Sequence, residues 1–232
     1  MEVCQVYCLK PTTVQMAVTL FDAYTSISEI PLSQWQLVAS ATVMLAAKFN
    51  EVDDIQSHLP RVAELLYSSC NQYTSEDFYA MEHSVLQAMD WGVNILSPAH
   101  FVEFYAFLGL FRAGECLRDD VISAVDTVHR LASLVDKRAL FFCEVFLRSY
   151  PATRFRPSVL GAACVAAARQ YVGIQPLWSP YLTATTTLGL DDVQECLGCI
   201  HAAFEEMSTV GTAEGSGSQE SGPTEMEISP SA

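Results

Sequence analysis

Positive charge is scarce in this chain: 12 lysines and arginines face 27 aspartates and glutamates over 232 residues, a net charge of −15. Such a surface repels a phosphate backbone and holds too few cations to neutralise one, which argues against nucleic acid as a direct partner. Long apolar runs are also missing. None reaches the ~20 residues of a spanning helix, because Lys48, Arg130 and Arg169 interrupt or end the best candidates, so no membrane partner is expected. The N-terminus lacks the charged-then-apolar layout of a secretory signal. The eight cysteines are scattered through apolar helical stretches and read as reduced intracellular thiols.

Catalytic motifs are absent as well. There is no glycine-rich phosphate loop, nucleophile elbow or paired metal-ligand motif, so neither an enzyme nor a cofactor is expected. Cys196-Leu197-Gly198-Cys199 has the spacing of half a zinc site, but it sits on a helical pattern without a second ligand pair and reads as core packing. His100 with Glu103, and Asp126 with His129, have one-turn spacing but lack the further carboxylates of a helical di-metal site.

What the chain does have is apolar content, half of all residues, recurring at helical spacing almost throughout with no alternating strand beside a hairpin signal. The fold class is therefore all-α, with enough apolar mass for a sizeable core. The spacing predicts helices over residues 12–25, 33–49, 59–69, 74–89, 98–110, 115–134, 137–149, 157–172, 179–186 and 191–207. Thr12 with Gln15 and Ser33 with Gln36 match the capping-box spacing. Ser97-Pro98, Ser179-Pro180 and Pro157 place proline at a first helical position, where its missing N–H costs nothing.

Two of these helices are crowded with small residues, Ala39, Ser40, Ala41, Ala46 and Ala47 in one and Gly161, Ala162, Ala163, Ala166, Ala167 and Ala168 in the other. Helices so built let neighbours approach on all sides, so each is expected at the centre of its own bundle, and the pair resembles a repeat. Plain helix propensity would also favour alanine, but the additional leucine and valine point to burial. Residues 208–232 are rich in Gly, Ser, Thr, Glu and Pro and are expected to be disordered. Ser229-Pro230 there has the form of a proline-directed phosphorylation site, though so common a dipeptide is usually incidental.

The stretch from Leu37 to Glu51, ending Ala46-Ala47-Lys48-Phe49-Asn50-Glu51, resembles the central helix of a cyclin box. Met81-Glu82-His83-Ser84-Val85-Leu86 and Met89-Asp90-Trp91-Gly92-Val93 resemble that box's fifth helix and exit. Ser97-Pro98-Ala99-His100-Phe101, the helix opening at Arg156-Pro157, and the stretch from Leu177 to Phe204 are similar to a second repeat. Within the family, Ala162 to Ala166 and the short gap after Glu51 are closest in feel to cyclin J and its relatives. The resemblance implies an N-terminal box over residues 1–96, a C-terminal box over 97–207 and a tail over 208–232.

It also implies a function: a non-catalytic subunit that binds and activates a cyclin-dependent protein kinase, in the nucleus or cytoplasm with the nucleus favoured. The kinase contacts carried over are Lys48 and Glu82, with Phe49, Leu45, Leu86 and Trp91 around them. Spacing agrees, since Leu45, Lys48 and Phe49 share one helical face and Glu82 and Leu86 another. The blander alternative makes Lys48 an ordinary surface bridge to Glu51 or Glu82 and puts Trp91 in the core.

One family feature is missing. A Met-Arg-x-x-Leu-x-x-Trp helix normally precedes the one at Thr12, forming half of a substrate-docking groove and supplying an arginine to the aspartate matched by Asp22. Here the first helix of the N-terminal box is expected to be lacking, as in a truncated isoform or incomplete gene model, leaving apolar surface uncovered and Asp22 in need of solvent or another partner. Trp35 and Gln36 remain as the other wall, so substrate proteins would dock weakly through this groove. A non-activating cyclin-fold adaptor is the alternative. A third reading, a DNA-clamping pair of cyclin folds, conflicts with the charge.

Overall fold

The computed structural model describes residues 2–51, 59–69, 72–110, 115–117 and 125–214. Among them it forms α1 (Glu2–Val6), α2 (Pro11–Ile27), α3 (Trp35–Asn50), α4 (Val62–Ser68), α5 (Ser75–Ala88), α6 (Pro98–Leu108), α7 (Val125–Leu147), α8 (Pro157–Val172), α9 (Pro180–Thr186) and α10 (Leu190–Glu214). A pair of two-residue strands, β1 (Cys116–Leu117) and β2 (Ile174–Gln175), runs antiparallel with Cys116 opposite Gln175. The all-α reading holds.

Each small-residue helix is central to a bundle. In the first, α2 and α5 pack on α3, around a core that includes Met16, Leu20, Val38, Ala41, Phe78 and Val85. In the second, α6, α7 and α10 pack on α8, and every residue from Leu160 to Arg169 is buried. Gly161 shows why small residues are needed: a Cβ there would lie 2.8 Å from Phe101 Cβ and 2.9 Å from the Pro98 carbonyl. The close approach of α6 to α8 depends on its absence.

Several helix starts are set by local chemistry. Thr74 Oγ1 accepts from the Asp77 N–H at 3.2 Å and opens α5. Ser179 Oγ accepts from the Leu182 N–H at 3.3 Å and opens α9. At α6 the Ser97 N–H donates to His100 Nδ1 at 3.1 Å, and burial lowers the His100 pKa, keeping it neutral and able to accept. His100 is thus a capping residue rather than half of a metal pair. The side chains of Asp126 and His129 lie outside the described residues.

Other boundaries differ from expectation. The Thr12/Gln15 capping box does not form: Lys10 is the N-cap of α2, without a side-chain cap, and both Thr12 and Gln15 are buried. Ser33 lies in a 3₁₀ turn before α3, and its carbonyl accepts from Tyr73 Oη at 2.5 Å, while Gln36 Nε2 donates to the Ser68 carbonyl at 3.4 Å. Residues 125–147 make one helix where a break was expected after 134, because Val135-Asp136 contains no glycine or proline to end it. Residues 116–117 are strand rather than helix. Finally, α10 continues through 208–214, a stretch expected to be disordered; residues 215–232, with Ser229-Pro230, lie outside the described residues.

The expected exposure of the first bundle is also corrected. Although residues 1–11 lack the family's arginine-bearing pattern, α1 is present, and Cys4 and Leu9 pack on Ala47 of α3 beside Val14 and Val43. That apolar surface is therefore partly covered from within the chain.

Candidate partner-binding site

Near its C-terminal end α3 presents Lys48, and α5 presents Glu82 in its second half. Lys48 Nζ donates to Glu82 Oε1 at 2.5 Å. The Lys48 side chain is 49% exposed and that of Glu82 12%. An exposed bridge of this kind stabilises a fold by ~0–1 kcal/mol. The pair sets a half-exposed ammonium beside a largely covered carboxylate.

Two exposed aromatics lie on the same stretches, Phe49 directly after Lys48 and Trp91 in ring contact with His83, the residue after Glu82. Phe49 is 48% exposed and Trp91 61%. Trp91 follows the end of α5, where Asp90 and Trp91 both adopt positive φ, 48° and 60°. Its N–H donates to the Leu86 carbonyl at 2.8 Å, and its indole meets the His83 ring edge-on at 5.8 Å. Left-handed backbone costs a bulky residue of order 1 kcal/mol, here spent on holding an indole in water. Trp91 is a surface residue, so its core reading is set aside.

The other two residues lie beneath. Leu45 is 7% exposed and belongs to the first core, and Leu86 is half-buried against the same core. Leu45 is therefore a supporting residue rather than a surface contact. Because α3 is buried around most of its circumference, spacing from Lys48 does not distinguish the exposed Phe49 from the buried Leu45.

Glu51 is not Lys48's partner. It is 2% exposed, and its Oε1 accepts from the Lys10 N–H at 2.8 Å and Thr13 Oγ1 at 2.6 Å. Lys10 Nζ stands 3.8 Å from its Oε2. This buried carboxylate, three residues past Lys48, ties the end of α3 to the start of α2. Gln15 makes a second tie: its Oε1 accepts from the Ala99 N–H at 2.9 Å, joining the two repeats at the first turn of α6. Neither role is marked by local pattern, since both partners are distant in sequence.

Arg169 was legible. An arginine on a helix otherwise apolar all round must be fully bonded, and this one is 0% exposed. It donates to the Leu110, Pro176 and Leu177 carbonyls and to Glu115 Oε2.

On another face, Trp35 is 45% exposed, packs edge-on to Phe21 at 5.8 Å and donates from Nε1 to the Ile30 carbonyl at 3.2 Å. Gln36 beside it is exposed. Asp22 is exposed to solvent, which resolves its missing arginine; partial burial of its carboxyl raises the pKa. Cys196 is buried in the second core and its thiol is pushed up to about 12 by burial, with neighbouring Cys199 and Cys143 adding. Among the described residues no group of three or more His, Cys, Asp or Glu could hold a metal, and no helix is long and apolar enough to cross a membrane.

The architecture defines a two-repeat helical protein whose first repeat carries the Lys48–Glu82 bridge and exposed Phe49 and Trp91. Residues 1–94 match the cyclin N-terminal domain family and residues 111–219 the cyclin C-terminal domain family. The chain belongs to the cyclin family. It is 28% identical over 196 residues to cyclin-J of Xenopus laevis, covering 82% of this chain and 49% of that protein. With the cyclin-J-like protein of Mus musculus it shares 26% over 204 residues, 86% of this chain and 51% of the relative. With human cyclin-A1 it shares 27% over 203 residues, 88% of this chain and 38% of the relative. The chain thus spans half or less of the length of most such relatives. A viral cyclin from herpesvirus saimiri shares the fold at a TM-score of 0.65 and 16% identity, covering 88% of this chain and 80% of that one.

Proposed function

We propose that this chain is the regulatory subunit of a cyclin-dependent serine/threonine kinase, gripping the kinase beside its C-helix through Lys48 and Glu82. The observation that carries the reading is the preformed Lys48–Glu82 pair, with exposed Phe49 next to Lys48 in sequence and exposed Trp91 after the end of α5. Large exposed aromatics are favoured anchors at interfaces, and a paired ammonium and carboxylate offer one donor and one acceptor to a partner's backbone. By preferring the kinase's inward C-helix, the cyclin shifts its population toward the state in which the kinase glutamate pairs with the phosphate-positioning lysine. The cyclin performs no chemistry itself.

Co-purification with a cyclin-dependent kinase followed by a phosphorylation assay tests this. Lys48→Ala with Glu82→Ala should abolish association and leave helicity intact; unchanged association would return the pair to a surface bridge. Kinase binding without stimulated phosphotransfer would favour the non-activating adaptor. Docking of substrate proteins is proposed at the exposed Trp35 and Gln36.

A further inference from the structure

The turn of α3 that carries Lys48 and Phe49 is held from its inner side at both ends. Ala47, just before Lys48, is fully buried and packs on Cys4 and Leu9. Glu51, one turn later, closes the turn with its N–H on the Ala47 carbonyl at 3.0 Å, and its buried carboxylate meets Lys10 and Thr13. Between these anchors Lys48 and Phe49 are each about half exposed.

The second anchor is directional. Thr13, in the first turn of α2, is itself 0% exposed, and its hydroxyl donates to Glu51 Oε1. The backbone N–H of Lys10 reaches the same oxygen, and Lys10 is the N-cap of α2 with no side-chain cap of its own. The end of α3 thus supplies an acceptor and a negative charge at the positive end of α2. Hydrogen bonds to an ionised acceptor are the stronger kind, and helix ends without such a tie fray. The exposed Lys48–Glu82 bridge adds little rigidity beside it.

We propose that Glu51 is a positioning residue for the candidate site: through Thr13 and Lys10 it fixes the last turn of α3, and so sets the angle at which Lys48 and Phe49 meet a partner. This rests on the reading of Lys48 as a partner contact. Glu51 and Thr13 are both buried, so they act through the exposed residues between the anchors and not by touching the partner. The segment before and at the start of α2 thereby governs the affinity of a surface to which it does not belong.

Three variants of the full chain test this. Thr13→Val keeps the side chain's shape and deletes the donor, Thr13→Ser keeps the donor, and Glu51→Ala removes the acceptor. Hydrogen exchange, which needs no partner, should accelerate about tenfold at residues 48–51 in Thr13→Val and Glu51→Ala and stay at the parent rate in Thr13→Ser. Residues 160–169 should be unaffected in all three. The dissociation constant for the cyclin-dependent kinase that co-purifies with the parent should rise about tenfold in Thr13→Val and Glu51→Ala, with parent affinity in Thr13→Ser. Parent-like exchange at residues 48–51 in Thr13→Val would overturn the proposal. So would equal acceleration over residues 160–169, the mark of a general loss of stability, or accelerated exchange with unchanged kinase affinity. If Lys48→Ala with Glu82→Ala leaves association unchanged, the kinase reading fails by itself, and the exchange result still decides whether Glu51 positions this turn.

Discussion

Replacing Arg169 by methionine removes the guanidinium while keeping much of its apolar stem volume. In the parent, Nη1 donates to the Leu110 carbonyl at 2.6 Å and to Glu115 Oε2 at 3.0 Å, Nη2 to the Pro176 carbonyl at 2.8 Å, and Nε to the Leu177 carbonyl at 2.9 Å. One side chain thus ties the ends of α6 and α8 to the segments around both strands. Glu115 is 7% exposed at its side chain, so the substitution strips a buried carboxylate of its cation as well as three carbonyls of a donor. Removing one member of a buried pair costs ~3–5 kcal/mol, and the carbonyls should add little once water enters the gap. For a chain of this size each kcal/mol lowers the melting midpoint by ~2–4 °C, giving a drop of about 6–20 °C by circular dichroism. Adding Glu115→Leu should recover part of the loss, because this further substitution removes the charge left stranded by the first. A midpoint within ~2 °C of the parent for Arg169→Met would refute the reasoning.

Gly161→Ala should destabilise by ~1–3 kcal/mol in urea unfolding, since its Cβ meets Phe101 and the Pro98 carbonyl inside 3 Å. Asp136→Asn should raise the melting midpoint at neutral pH. Burial raises the Asp136 pKa, with Lys137 opposing, and Oδ1 has no hydrogen-bond partner among the described residues. The raised folded pKa penalises the ionised form, so parent stability improves as pH falls through it, and the variant's advantage should vanish below the ordinary carboxylate range. Cys8 is exposed, whereas Cys164 is buried with its thiol raised well above the usual range, chiefly by burial. Peptide mapping after brief alkylation of the native chain should therefore find Cys8 modified and Cys164 untouched. Lys48→Ala alone should change stability by no more than ~1 kcal/mol, so a loss of partner binding there would not be a folding effect.

Features of the fold that depend on neighbours in sequence were readable from it. Thr74, Ser97 and Ser179 act within one helical turn, and the runs Ala46-Ala47 and Ala162-Ala163 advertise close packing without reference to what packs. Gln15 and Glu51 show the opposite case. Gln15 has the spacing of a capping residue yet bonds the Ala99 N–H, and Glu51 has the sequence setting of a surface acid yet is buried against Lys10 and Thr13. Choosing between such partners requires knowing which helices meet. At the candidate site the resemblance placed Lys48 and Glu82 at one contact and the blander alternative named their bridge, but the exposure of Trp91 and the burial of Leu45 depend on how α3 is turned within its bundle.

The bond from Gln15 to the Ala99 N–H bears on how the repeats can be taken apart. An N–H in the first turn of the second repeat obtains its acceptor from a buried side chain of the first. Cutting the chain between residues 96 and 97 would expose that donor on one piece and the amide oxygen on the other, along with the faces where α2 meets α6 and α7. The boundary visible as a sequence repeat is therefore not a line of mechanical weakness. Force or heat applied to either bundle is passed to the other through this seam, which favours loss of both repeats in one cooperative step.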